Sequence, residues 1–511
     1  MKDDADIVIV GAGSAGCVMA ARLSQDTGRT VVLIEAGGDA PSMHVRQPNQ
    51  WPLLWDDAEN WGYSTTLQAG FGLRSIPYPR GKALGGTSTI NAMIAMRGDP
   101  ADFNHWRDLG NPGWGWLDVL PYFKRLEDHV LGASALHSVG GPLTVSAQMS
   151  PSPITQAFIE AAIACGHRPN NDFNGDHLDG AGLYHVSIRD GERCSTAVAY
   201  LGPAMGRPNL RVIQRARALG VHFEGDRAAA VDIWDGSNRR RIHANQEVIL
   251  CAGAIDTPKL LMLSGVGDPA ALQSHGITVS HALPAVGMNL CDHTQTPIVF
   301  ALKKPMAAAP SSILVEGGLF MKRAEADNEF GADLQFFLLP QIPLAIAARS
   351  AAPAMAISAQ ACRPRSRGQV RLRSADPLDA PVIDPNYLTD GDDLALQLEG
   401  VRMARKVAAA GPLADLLHSE ISPGTQATSD AALATAIRAT SACVWHPVGT
   451  CRMGPGSDSV VDSALKVHGI RHLRIVDASV MPQITSANTN LPTIMLAEKA
   501  CDLVSGQFKA G

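Results

Sequence analysis

The apolar and polar positions at the start of the chain follow a pattern that predicts a β-α-β unit. Residues 7–10 are an uninterrupted β-branched run, which is typical of a strand buried on both faces of a parallel sheet. A glycine-rich turn follows, and apolar residues at helical spacing then predict a helix from about Ser14 to Leu23. A second strand is predicted over residues 30–34 and ends at Glu35. The pattern therefore predicts an α/β fold that begins with a parallel crossover.

The glycines of this turn have the spacing of a dinucleotide-binding site. Gly11 permits the tight turn, Gly13 lets backbone amides approach a pyrophosphate, and Gly16 lets the helix pack close to the strand. The unpaired amides and positive dipole at the helix N-terminus favour the phosphates. Glu35, 19 residues after Gly16, can accept hydrogen bonds from ribose hydroxyls and argues against NADP, whose 2′-phosphate would meet like charge. The unit is Rossmann-like and predicts NAD or FAD, without deciding between them.

Similar elements recur in the middle and at the end of the chain. A strand over residues 247–252 leads to a helix that we expect to begin at Thr257 and Pro258, and residues 473–477 form a strand that ends at Asp477. The last helix is predicted to begin around Leu491. We therefore expect a discontinuous cofactor-binding domain made of residues 1–145, 191–290 and 441–511. A substrate-binding domain, a sheet with helices made of residues 146–190 and 291–440, is inserted into it, so that the whole chain is α+β.

Composition excludes several classes of protein. A chain of 511 residues exceeds what one core usually serves, and a net charge of −6 gives no general attraction to nucleic acid or an anionic membrane. The nine cysteines include no CxxC pair, which argues against a disulfide framework or a zinc cluster and favours reduced thiols in the cytoplasm. We find no signal peptide, and prolines and an arginine interrupt the apolar stretch 334–362, which makes it a poor membrane span. We predict no metal site.

Several longer motifs resemble those of the glucose-methanol-choline (GMC) oxidoreductases over nearly the whole chain. The resemblance begins with the glycine turn and Glu35. It continues through two long signatures, residues 81–91 and 253–267, the aromatic block 111–123, the histidine block 444–454 and the C-terminal run 476–493. The first signature has a Gly85-Gly86 pair followed by hydroxyl residues, which is either a helix cap or a backbone that must pass close to a flat ligand. The resemblance implies FAD, an alcohol substrate and a two-domain fold.

By the same resemblance, the FAD contacts fall on residues scattered along the chain. Glu35 holds the adenosine ribose, residues 85–91 pass beside the isoalloxazine ring, and Asp477 meets the ribityl or pyrophosphate part. The residues expected at the cofactor are Gly11, Gly13, Ser14, Ala15, Gly16, Glu35, Ala36, Arg80, Gly85, Gly86, Ser88, Asn91, Ala92, Met93, Ala218, Ala252, Gly253, Trp445, Asp477, Ala478, Asn490, Pro492 and Thr493. Some choline-type members attach FAD through a histidine just before the asparagine of the first signature. This chain has Ile90 there, which predicts non-covalent FAD.

The resemblance and the chemistry of alcohol oxidation together nominate two catalytic residues. His446 is the expected base, because an imidazole titrates near neutral pH and can accept the hydroxyl proton while the hydride passes to N5 of the flavin. Asn490 is expected to orient the substrate oxygen through its amide. His468 and His472 have the spacing of a helical metal pair, but they flank Gly469-Ile470 before a strand, so we expect packing roles. His293 beside Asp292 looks like a dyad, although a loop role is expected because adjacent strand residues point to opposite faces.

The sequence leaves three questions open. A hydroxynitrile lyase shares the fold without net flavin reduction, and an NAD-binding enzyme is a more distant alternative. The electron acceptor is oxygen or a quinone-like molecule, and the oligomeric state cannot be predicted. The low charge favours a small, neutral alcohol, and residues 336–357 either line an entrance for an apolar or aromatic alcohol or belong to the core. We expect the aromatic residues of the 51–61 loop to be used elsewhere, which disfavours an aromatic cage for quaternary ammonium groups.

Overall fold

A computed structural model describes residues 3–306, 309, 311–323, 329–342 and 353–509. Its two large sheets are joined by helices, as the α/β prediction required. The helices are Ser14–Leu23, Met43–Arg46, Pro100–Asp108, Trp116–Leu126, Pro153–Ala164, Gly202–Ala204, Gly253–Leu263, Pro269–Ser274, Gly391–Ala408, Gly411–Leu416, Asp430–Thr440 and Asn490–Lys509. Shorter 3₁₀ turns cover Pro48–Trp55, Ala69–Phe71, Gly86–Thr89 and Ala478–Val480, and Ala197–Leu201 is a π-helical turn.

The first sheet contains the predicted β-α-β unit. In spatial order its strands are Leu210–Ile213, Val31–Ile34, Asp4–Val10, Arg239–Leu250, Arg227–Trp234 and Arg217–Glu224, and Leu473–Ile475 also pairs with Arg239–Leu250. The strands paired with Asp4–Val10 are parallel to it, which brings their carboxyl ends to one edge. Ligands of parallel sheets bind at that edge. Every strand of this sheet lies within the segments expected for the cofactor domain.

The second sheet is antiparallel and carries the inserted segments. In spatial order its strands are Leu417–Ser422, Thr294–Leu302, Ala354–Ala361, Leu334–Leu339, Gly317–Met321 and Gly180–Leu183, and Ala442–Cys443 pairs with Thr294–Leu302. The strand Ala442–Cys443 belongs to the segment 441–511 that we expected in the cofactor domain. It pairs with a strand of the inserted segment 291–440, so strand pairing crosses this predicted boundary. The exact domain division stays a prediction.

Small two-stranded pairings complete the chain. They are Tyr63–Ser64 with Pro77–Tyr78, Glu127–His129 with Leu143–Val145, Ile188–Arg189 with Glu192–Arg193, Val266–Gly267 with His281–Ala282, and Gln369–Arg371 with Val382–Asp384. Among the described helices, none is long and apolar enough to cross a membrane. The nine cysteines, all of which lie in described residues, form no disulfide.

One helix begins earlier than its prolines suggested. The helix Gly253–Leu263 contains Pro258 in its interior, whereas we expected Thr257 and Pro258 to start it. Proline lacks the N–H that would bond the carbonyl four residues earlier, and this is the carbonyl of Ala254. The Thr450 hydroxyl donates to that carbonyl at 2.6 Å instead. A side chain from a distant segment thus replaces the missing bond, which local sequence does not reveal.

Candidate active site

A long cavity runs along the carboxyl edge of the first sheet, from Glu35 to His446. It collects residues from segments that are far apart in the chain. The predicted site residues that line it are Gly11, Gly13, Ser14, Ala15, Glu35, Ala36, Arg80, Gly86, Asn91, Ala92, Met93, Ala218, Ala252, Gly253, Trp445, His446, Asp477, Ala478, Asn490 and Thr493. Most of the predicted set therefore meets in a single cavity.

The beginning of the Ser14–Leu23 helix offers donors to that cavity. No side chain caps this helix, and its N-cap is Gly13, so the first-turn amides are available to a ligand. Glu35 is buried and accepts the backbone N–H groups of Ala12 and Gly37, each at 2.8 Å. Burial raises the pKa of Glu35 to about 7, and these two amides oppose the shift. The donor set fits a pyrophosphate with a ribose beside it.

Four predicted residues do not line the cavity: Gly16, Gly85, Ser88 and Pro492. A Cβ on Gly16 would lie 1.8 Å from the Gly11 carbonyl oxygen, so only glycine lets the helix approach the strand. Gly85 has φ +90° and donates to the Ala12 carbonyl at 2.7 Å. Gly16 and Gly85 therefore allow the glycine-rich turn after the first strand to pack closely against its neighbours. The segment that follows Gly85 forms a 3₁₀ turn, Gly86–Thr89, and is not the helix-like segment that we expected.

Asp477 and Gly253 meet at the middle of the cavity. Asp477 accepts the Gly253 N–H at 2.9 Å and the Thr257 hydroxyl at 2.6 Å, and burial raises its pKa. Gly253 has φ +82°, and a Cβ there would meet no protein atom within 4 Å, so it would project into open space. A ligand can pass close to this backbone. The buried Asp477 carboxylate and the open space beside Gly253 fit an extended dinucleotide such as FAD.

His446 lies at the other end of the cavity and is held on both sides. Its Nδ1 is 3.0 Å from Nδ1 of His293, and its backbone N–H donates to Asp292 at 2.6 Å. Burial, His293 and Arg80 hold the pKa of His446 well below the usual range. The preceding Trp445 adopts φ 61° and is fixed by two hydrogen bonds, from Arg80 to its carbonyl and from its indole to Pro77.

The asparagine beside His446 is Asn488. Its Nδ2 lies 3.1 Å from Nε2 of His446, and its buried Oδ1 has no hydrogen-bond partner. Asn490, which we expected there, instead accepts the Ser14 hydroxyl at 2.8 Å, beside the glycine turn. Residue 490 begins the last helix and residue 488 precedes it, so the two amides face different parts of the cavity. The asparagine next to His446 is thus Asn488 and not Asn490, while the substrate-orienting role stays a prediction.

Sequence reasoning missed the part that Asp292 and His293 have in the site. We expected a loop role because adjacent strand residues point to opposite faces. Both residues do lie in a loop before the strand Thr294–Leu302, and both reach the same histidine: the Asp292 carboxylate accepts the backbone N–H of His446, and His293 contacts it by its ring. His293 is fully buried and its Nε2 lies 2.8 Å from the Cys362 carbonyl. The Asp-His pair was the available signal.

The aromatic loop was also placed wrongly by the sequence. Trp51, Trp55 and Trp61 all line the cavity, although we expected the aromatics of this loop to be used elsewhere. Trp55 packs edge-on against Trp445 with ring centroids 4.5 Å apart. From the proposed entrance segment 336–357, Phe337 and Leu339 line the cavity, and residues 343–352 lie outside the described residues.

Other histidines of interest lie away from this cavity. His468 contacts the Ser459 hydroxyl and the Gly454 carbonyl, and His472 contacts the Gln246 carbonyl, so they do not converge as a pair. A separate buried group consists of Glu127, His129 and His137. A second group, which shares His129 with the first, consists of His129, Asp172 and His185. The sequence did not suggest either group. His137 lies between Glu127 and Asp172 at hydrogen-bond distance from both.

Comparison with known proteins agrees with these features. The N- and C-terminal family models of GMC oxidoreductases match residues 5–295 and 364–497. The chain is 39% identical to an alcohol dehydrogenase [acceptor] of Pseudomonas putida, covering 98% of this chain and 95% of that protein. It is 38% identical to mouse mitochondrial choline dehydrogenase, covering 99% and 90%.

A solved structure resembles the whole fold. The pyridoxine 4-oxidase from Mesorbium loti superposes with a TM-score of 0.94 at 33% identity, over 99% of each chain. The family predicted from the motifs is confirmed, as are its α/β fold and its enzyme class. This chain belongs to the GMC oxidoreductases, a family of FAD-dependent enzymes that act on CH–OH donors.

Proposed function

We propose that this protein oxidises an alcohol to the aldehyde or ketone, with His446 as the base. FAD, when bound, supplies the acceptor for the hydride equivalent. The protein must then remove the hydroxyl proton and hold the carbinol C–H in place. The observation that carries the proposal is the chain of contacts that directs the Nε2 lone pair of His446 towards Asn488.

That chain starts at a backbone carbonyl. The Cys362 carbonyl can only accept, so Nε2 of His293 carries the proton at this 2.8 Å contact. In the neutral ring, Nδ1 of His293 is then an acceptor, and it accepts a hydrogen bond from the Nδ1–H of His446, 3.0 Å away. Burial lowers the pKa of His293 to about 4, which keeps this ring neutral. His446 is left with a lone pair on Nε2, as a general base requires.

Asn488 supports the same assignment. The Nδ2 of Asn488 can only donate, so the 3.1 Å contact makes Nε2 of His446 the acceptor there. A substrate hydroxyl beside His446 and Asn488 would give its proton to Nε2 while the Asn488 amide fixes its oxygen. Asn490 is proposed to act at the cofactor, because its side chain is bonded to Ser14.

Two matched alanine variants test this division of labour. Asn488→Ala should lower the rate of anaerobic flavin reduction by about 10²-fold because an oriented polar contact is lost from the reacting oxygen. Asn490→Ala should weaken FAD binding and leave the reduction rate of the loaded enzyme within a few-fold of wild type. The opposite pattern, with Asn490 governing the rate, would restore the original assignment. Flavin content and single-turnover bleaching are the two readouts.

FAD is proposed to be non-covalent because Ile90 offers no nucleophile at the position where attachment would occur. Ile90 is buried and lines the cavity. Acid precipitation should release all the flavin into the supernatant. Flavin that remains with the protein pellet would contradict the proposal.

A non-redox activity of the hydroxynitrile-lyase type is the second candidate, because a neutral histidine in the cavity can serve as its base as well. Under nitrogen, an alcohol substrate bleaches the flavin of an oxidising enzyme and leaves that of a lyase yellow. Admission of air afterwards times reoxidation and separates oxygen from a quinone-like acceptor.

A cytoplasmic location is also proposed, supported by the nine unpaired cysteines.

A further inference from the structure

The carboxylates that line the cavity all lie at its nucleotide half and are already bonded. Glu35 accepts the amides of Ala12 and Gly37, and Asp477 accepts Gly253 and Thr257. Asp256 accepts the Tyr63 hydroxyl at 2.9 Å. Among the described lining residues there is no further carboxylate. The negative groups of the cavity are therefore remote from the His446 end.

The wall beside His446 belongs to an apolar cluster. Val444 and Trp445 pack against this cluster, which includes residues of the second sheet and of the 3₁₀ turn Pro48–Trp55. Its members that also line the cavity are Trp51, Trp55, Ile90, Ala92, Met93, Ile94, Val315, Phe337, Leu339, Val444 and Trp445. Burial of an apolar substituent against this wall is favourable in proportion to the area removed from water.

The charge closest to His446 in this lining is positive. Arg80 lines the cavity, donates to the Trp445 carbonyl at 2.6 Å and contributes to the lowered pKa of His446. Asp292, which accepts the backbone N–H of His446, does not line the cavity and already accepts the hydroxyls of Tyr78 and Tyr387 at 2.7 and 2.6 Å. A cation in the substrate position would face this guanidinium, and no carboxylate of the described lining is among the groups that shift the pKa of His446.

We infer that this site takes an uncharged alcohol with an apolar group and discriminates against choline-like quaternary ammonium alcohols. The inference rests on the proposed function. A buried cation loses its hydration, and the opposite charge that would offset this loss is absent from the described lining. The tryptophan faces offer a cation–π contribution, which Arg80 opposes by like-charge repulsion. This distinguishes the chain from its choline dehydrogenase relatives at the level of substrate charge.

A pair of equal-shaped substrates isolates the charge. The FAD-loaded enzyme is mixed anaerobically with choline or with its carbon isostere, in which a tert-butyl group replaces the trimethylammonium group. The neutral isostere should reduce the flavin with a second-order rate constant at least about tenfold higher, since only desolvation and repulsion differ. Choline that reacts as fast or faster overturns the inference. If neither compound, nor hexanol, nor benzyl alcohol bleaches the flavin, the proposed function itself fails.

A single substitution should shift the preference towards choline. Gln295 lines the cavity and is two residues from His293, so both side chains lie on the same side of an extended chain. Gln295→Glu adds a carboxylate there, and it should raise the choline-to-isostere ratio by about tenfold or more. Gln273→Glu, which adds the same charge at an exposed position on the helix Pro269–Ser274, should leave the ratio unchanged. A Gln295→Glu enzyme that bleaches with hexanol but keeps the wild-type ratio would also overturn the inference.

Discussion

Two adjacent residues hold His446, the proposed catalytic base. Asp292 holds the backbone of His446 while His293 holds its ring, and Tyr78 and Tyr387 in turn hold Asp292. Burial raises the pKa of Asp292, and these donors oppose the shift. The orientation of the base is thus set by groups that never need to touch the substrate.

The lowered pKa of His446 predicts the pH dependence of the reaction. A base whose pKa is depressed stays unprotonated as the pH falls, so flavin reduction should be constant across neutral pH and decline only below the ordinary histidine value of about 6.5. Arg80 disfavours the protonated ring, so Arg80→Gln should raise the pKa and move this acid limb to higher pH. The limb is measured from kcat/KM against pH with flavin content matched. A limb that does not move would show that the Arg80 charge does not govern the base.

At the scale of elements, the first β-α-β unit was predictable because its signals are local. The helix Ser14–Leu23 has the predicted bounds, and the second strand begins one residue later than expected. The choice between Asn488 and Asn490 was not predictable, because it depends on where the last helix starts and how it packs. The bond from Thr450 to the Ala254 carbonyl likewise joins segments that no local pattern connects.

The contact between two glycine loops gives an element-scale prediction. A Cβ on Gly86, which has φ +51°, would lie 2.6 Å from the Cα of Gly13. Gly86→Ala should therefore push the loops apart and weaken FAD binding to the apoprotein by about tenfold or more, beyond a backbone cost of about 1–2 kcal/mol. Fluorescence titration with FAD measures this.

Gly132→Ala is the control for Gly86→Ala. Gly132 has φ +78°, but a Cβ there meets no atom within 4 Å, so this variant carries the backbone strain without the collision. Its FAD affinity should equal that of wild type. Equal affinities for both variants and wild type would refute the importance of the close approach.

At the scale of the whole molecule, the cavity is built from segments that span nearly the full chain. Family resemblance identified these segments, whereas composition and periodicity alone identified only the nucleotide half. Asp292 and Trp51 were missed because their roles depend on how the second sheet and the 51–55 turn pack against the histidine block. Such long-range contacts are not written in local spacing.

The last helix is tied to the first by a buried carboxylate. Glu498 is fully buried and pairs with Arg22 at 2.7 Å and with the Tyr200 hydroxyl at 2.8 Å. Glu498 also pairs with Arg125 at 2.8 Å. Glu498→Ala leaves both arginines without this partner and should lower the free energy of unfolding by about 2–3 kcal/mol, somewhat less than for a fully buried pair because both arginines are partly exposed. Urea unfolding of the holoenzyme measures the loss.

The matched control lies one turn further along the same helix. Asp502 pairs with Arg125 at 3.0 Å, but its side chain is about half exposed. Asp502→Ala should change the unfolding free energy by less than about 1 kcal/mol. If the two variants lose the same stability, the buried pair does not anchor the helix.

The most direct test of the central claim is the anaerobic rate of flavin reduction in His446→Ala. The variant should bind FAD as wild type does, because no contact to the glycine loops or Glu35 is lost. Its reduction by a good alcohol substrate should be slower by about 10²–10⁴-fold, the usual contribution of a general base. A rate within a few-fold of wild type, at equal flavin content, would contradict the assignment of His446 as the base.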